Sequence, residues 1–147
     1  MGKDNIVVEQ NEMKTNGIRI LKGSIFAITI SAILLIIFAL LLCYTNLKEV
    51  TMKPVIFTIT GISILIGSMT STKSIKKNGI INGGIVGLIY ILILYIISSL
   101  FVSGFSITLN SIFMLAIGTI TGIIGGIIGV NTVSYTHLRA HETGRNL

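Results

Sequence analysis

Charged side chains are scarce in this chain: Asp, Glu, Lys and Arg make up only 11% of its 147 residues. A soluble domain usually carries about 25% charged residues, so the chain lacks the polar surface that a soluble fold needs. Its mean hydropathy of +0.92 and its long uncharged runs instead indicate a membrane protein. Tryptophan is absent, and proline and cysteine each occur once. The single cysteine, Cys43, excludes an intrachain disulfide framework.

The positive charges lie in short segments between the apolar runs rather than on one broad face. They give the chain a formal net charge of +6 at pH 7. Short basic segments are typical of contact with an anionic membrane surface, whereas a nucleic-acid interface needs a continuous basic patch. The sequence therefore predicts the lipid bilayer as the immediate partner and no nucleic acid.

Four uncharged apolar runs predict an all-α bundle of four transmembrane helices, at about residues 23–44, 54–70, 79–101 and 107–130. At ~1.5 Å per residue the first run is about 33 Å long, enough to cross a hydrocarbon core of about 30 Å. The second run begins at Pro54, which suits the first turn of a helix because that turn does not use its N–H. This run is rich in Thr and Ser, and a buried position in the bundle would explain that composition.

The distribution of Lys and Arg predicts that both termini are cytoplasmic. The mixed, polar segment 1–22 is interpreted as a mobile cytoplasmic tail with a short interfacial helix near its end. The positive-inside rule places the more basic side of the membrane protein in the cytoplasm. The basic residues on that side are Lys3, Lys14, Arg19, Lys22, Lys73, Lys76 and Lys77, against Lys48 and Lys53 on the other side.

The closing segment VSYTHLRAHETGRNL, from Val133 to Leu147, differs in composition from the glycine-rich apolar run before it. It contains both histidines of the chain, His137 and His141, at an i, i+4 spacing that zinc sites use. Two ligands do not complete a zinc site, which needs three or four, and Cys43 is predicted at the opposite membrane face. The pattern therefore predicts no metal site and no cofactor.

The same segment resembles the translation of a transposase-type sequencing-library adapter. The adapter bases GTCTCTTATACACATCTCCGAGCCCACGAG encode Val133 through Glu142 in one frame, and the two bases that follow begin the codon of Thr143. The resemblance implies that residues 132–147 are derived from the adapter. Without that segment no histidine remains in the sequence.

Without that segment, about residues 18–131 resemble a family of small four-helix membrane proteins of unknown function from low-GC Gram-positive bacteria. The stretches that carry the resemblance are IRILKGSIFAITISAILLIIFALLLCYTNL, GISILIGS, NGIINGGIVGLIYILILYIISSLF and GTITGIIGGIIGVN. The resemblance implies a four-helix transmembrane domain over residues 23–131. The family has no established catalytic residues, so the resemblance assigns no catalytic residue to this chain.

Polar candidates inside the predicted spans are few, and Asp, Glu, Lys, Arg and His are absent from them. Proton relays and ion-coupled transport usually depend on such ionisable groups. Asn82 and Asn110 are the strongest polar candidates. Each either lines a polar path or forms an interhelical hydrogen bond, worth about 0.6 kcal/mol on average in membranes, and we favour the hydrogen bond. Tyr90 and Tyr95 are predicted to be packing residues.

Regularly spaced glycines predict that the third and fourth helices pack closely. Small residues at intervals of four share one helix face and let two backbones approach where lipid removes the hydrophobic drive between helices. The alternative is that they line a narrow pore or a substrate cleft; packing is favoured. The glycines are Gly79, Gly83 and Gly87 in the third helix and Gly118, Gly122 and Gly126 in the fourth, with Gly125 and Gly129 beside them and a weaker series, Gly23, Ala27 and Ser31, in the first.

Two functions stay open at this point. The first is a non-enzymatic integral protein of the bacterial cell membrane that acts by helix–helix association, with itself or with a larger membrane partner. The second is a small oligomeric channel or transporter. An enzyme is not indicated, because no nucleophile–base pair or ligand cluster survives removal of the closing segment.

Resequencing tests the origin of the closing segment. We expect intact genomic DNA at this locus to show a different continuation after about codon 131, because the adapter match runs codon by codon through Thr143. Recovery of the VSYTHLRAHET codons from the chromosome would contradict an adapter origin.

Overall fold

Four long helices make up the described part of the chain, which contains no strand, and the predicted all-α fold is confirmed. Each helix is long and apolar enough to span a membrane. The computed structural model describes residues 2–45, 49–73, 75, 78–103 and 107–143, with side chains described for 13–45, 50–73, 75, 78–101 and 107–132.

The helices follow the predicted spans, with one difference at the N-terminus. Residues 2–22 are helical throughout and continuous with the first span, so the expectation of only a short helix near residue 22 is wrong. No proline interrupts this stretch, and its last turn already contacts the second helix, which favours a continuous helix. The elements are α1 (Gly2–Tyr44), a 3₁₀ turn (Glu49–Thr51), α2 (Met52–Thr72), α3 (Gly79–Ser98), a π turn (Ser99–Ser103) and α4 (Leu109–Thr143).

Both α2 and α3 contact all three other helices, whereas the described parts of α1 and α4 do not touch each other. The composition of α2 suits this inner position. In the most apolar window of α2, 33% of the residues are buried in the bundle, against 11% for α1. Ser63, Ser68, Ser71 and Thr72 of α2, the least apolar span, are thus buried in the bundle, while α1, the most apolar span, is largely exposed.

Buried residues concentrate in the half of the bundle that holds the α2–α3 connection. The core cluster of Ala27, Ile64, Tyr90 and Ile91 lies near the middle of the spans, and Tyr90 has no exposed surface, as expected of a packing residue. In the other half the last turns of α1 and the first turns of α4 are mostly exposed. The bundle is therefore closed at one end and splayed at the other.

The connection between α2 and α3 ends at Asn78, which has φ 62° and ψ 37°. This left-handed conformation is tolerated by Asn better than by most residues, because its short polar side chain can hydrogen-bond locally. It lets the chain reverse direction immediately before Gly79. As a result α3 begins alongside the end of α4.

Candidate functional site

Six glycines form the contact between α3 and α4, and we call them the glycine interface. The two helices are antiparallel. A Cβ atom placed on Gly87 would collide with the carbonyl oxygen of Gly118, and one on Gly126 would collide with that of Gly79. The backbones are so close that these positions have no room for a side chain. The opposed pairs are Gly79 with Gly126, Gly83 with Gly122, and Gly87 with Gly118.

A second glycine face of α4 lies against α2. A Cβ atom on Gly125 would lie 2.7 Å from the carbonyl oxygen of Leu65, and one on Gly129 would lie 2.7 Å from that of Met69. Each of these two glycines follows a member of the glycine interface by three residues and is therefore offset from it by about a sixth of a turn. The fourth helix therefore approaches α3 and α2 closely at the same time.

A hydrogen bond joins the three helices at one point. The Ser68 hydroxyl of α2 donates to the carbonyl oxygen of Gly122 at 2.6 Å. Gly122 in turn lies against the backbones of Gly83 and Gly87. Most other described Ser and Thr hydroxyls donate to a carbonyl one turn back in their own helix, as is usual for these residues, so the Ser68 bond stands out as a connection between helices.

Small residues also bring α1 and α2 into close contact. A Cβ atom on Gly23 would lie 2.8 Å from the carbonyl oxygen of Gly67, and one on Gly67 would lie 2.5 Å from the Cβ of Ala27. The Ser71 hydroxyl donates to the carbonyl oxygen of Arg19 at 3.0 Å. The small series of α1 therefore packs on α2, and Ser68 and Ser71 hold α2 to neighbours on two sides.

Sequence reasoning missed the small residues of α2. Ser63, Gly67 and Ser71 have the same i, i+4, i+8 spacing as the glycines of α3 and α4. Two of the three members are serines, so the spacing of glycines alone does not reveal the series. The spacing was the available signal, and it was not used for this helix.

The two asparagines lie apart. Asn82 is on α3 and only 8% exposed, whereas Asn110 is exposed near the start of α4. The hydrogen bonds between helices that the structure describes come from Ser68 and Ser71 rather than from either asparagine.

Three buried hydroxyls follow α3 toward the splayed end of the bundle. The hydroxyls of Tyr90, Tyr95 and Ser99 have no hydrogen-bond partner among the described residues. Ser31 and Thr60 are close to the Tyr90 hydroxyl, but their geometry does not make a hydrogen bond with it. A buried hydroxyl without a partner costs about 1–3 kcal/mol, so each of these hydroxyls has unused capacity to bind a polar group.

Alanine at the glycine interface should destabilise the bundle. Gly87→Ala and Gly126→Ala each place a methyl group against a backbone carbonyl of the facing helix, so we expect a loss of roughly 1–3 kcal/mol, as for overpacking in a core. The matched control is Gly61→Ala, because nothing lies within 4 Å of a Cβ at that position. Thermal unfolding in detergent, followed by size-exclusion chromatography, measures the difference. The close approach would be refuted by Gly87→Ala and Gly126→Ala proteins that melt with the control.

Comparison with known proteins identifies the family of this chain. A family model described as "Protein of unknown function (DUF3792)" matches residues 16–129. That range contains all four spans up to the last turns of α4 and the whole glycine interface. Neither a curated protein nor a solved structure matches the chain. Since the matched range covers most of its length, the chain belongs to the DUF3792 family of proteins of unknown function.

Proposed function

We propose that this chain is a non-enzymatic integral membrane protein that acts by helix–helix association, with itself or with a larger membrane partner. Its own small-residue faces on α2, α3 and α4 are occupied inside the bundle. A partner must therefore use another surface. The least buried helix, α1, supplies one.

One side of α1 carries a regular stripe of exposed residues, which we call the outer stripe. Its members recur at alternating intervals of four and three, the repeat by which two helices pack along a seam. The opposite side of the helix, at Ser24, Ala27 and Ser31, is buried. The outer stripe consists of Ile25, Thr29, Ala32, Ile36, Ala39 and Cys43, and all six are exposed.

The small members of the outer stripe carry the proposal. Exposed Ile and Leu need no protein partner in a bilayer, because lipid tails solvate them as well as another helix would. Thr29, Ala32 and Ala39 are different, since small side chains let a second backbone come close and gain dispersion contacts that lipid does not match. Their placement on one side of the least buried helix favours association through α1.

Crosslinking at Cys43 tests self-association. This only cysteine is exposed at the end of the outer stripe, so we expect copper-phenanthroline to give a disulfide-linked dimer in native membranes. Ala32→Leu with Ala39→Leu should reduce the dimer severalfold by holding the backbones apart. Ala116→Leu is the matched control, because Ala116 is exposed on α4 outside the stripe. Absence of the dimer would contradict self-association, and a photocrosslinker at Ala32 that yields only lipid adducts would contradict a larger partner as well.

We further propose that the protein spans a bacterial plasma membrane with both termini in the cytoplasm. The excess of basic residues in the N-terminal segment and the α2–α3 connection supports this orientation, and four spans return the chain to its starting side. Lys76 and Lys77 contribute to that excess and Lys48 counts against it, and all three lie outside the described residues.

Thiol labelling tests the orientation. In a Cys43→Ser background, an impermeant maleimide on intact cells should label Thr45→Cys and spare Gly17→Cys, because the two exposed positions are at opposite ends of the first span. Both should react after the cells are permeabilised. Labelling of Gly17→Cys with protection of Thr45→Cys would show that the topology is the opposite of the one proposed.

A small oligomeric channel or transporter is the second candidate, and the buried hydroxyls without a described partner favour it. Tyr90, Tyr95 and Ser99 could replace part of the hydration of a polar solute. Purified protein in liposomes discriminates the two functions. A specific flux that rises with protein density and falls in Tyr95→Phe would favour the channel over association alone.

We also propose that residues 132–147 have no role in function and derive from the sequencing adapter. The frame-consistent match through Thr143 supports this, and the segment lies beyond the range that the family model matches. The side chains of His137 and His141 lie outside the described residues. The spacing of those two histidines therefore carries no argument for a metal site.

A further inference from the structure

We draw no further inference here: the strongest candidate, the buried hydroxyls of Tyr90, Tyr95 and Ser99 on α3, belongs to the site already described for a channel or transporter, and nothing in the described part of the structure shows what would bind there.

Discussion

Close approach of helix backbones is the interaction on which the rest of this fold depends. Lipid tails solvate Ile and Leu as well as protein does, so burial of apolar surface provides little drive between helices. What remains is the dispersion energy and the hydrogen bonding gained when backbones nearly touch. Glycine supplies that contact between α3 and α4 through the six residues of the glycine interface, and again between α4 and α2 through Gly125 and Gly129.

The position of α2 follows from the same constraint. Its serines would be poorly solvated by hydrocarbon, and inside the bundle two of them become connections: Ser68 donates to the carbonyl oxygen of Gly122 and Ser71 to that of Arg19. Helix α2 therefore joins α1 to α4, while α3 contacts all three of the other helices. Because α1 packs through only one face, its outer stripe stays exposed to lipid or to another protein.

The sequence predicted the parts of this structure that depend on one helix at a time. Run length located the spans, and the glycine period identified the faces of α3 and α4. It did not predict which helix α2 would contact, because Gly67 and Ser71 repeat at the same interval of four as Gly83 and Gly87, and the interval does not specify a partner. The continuous helix of residues 2–22 was also missed, since polar composition was read as a tail although no proline breaks it.

A double-mutant cycle at Gly118 and Ile91 tests the close approach most directly. A Cβ atom on Gly118 would collide with the side chain of Ile91 and lies 3.6 Å from Ile64, so the clash is with side chains and can be relieved. We predict that Gly118→Ala lowers the thermal stability of the parent but not of an Ile91→Ala protein, with a coupling of about 0.5–3 kcal/mol. Additive effects of the two substitutions would contradict direct contact between α3 and α4 at this position.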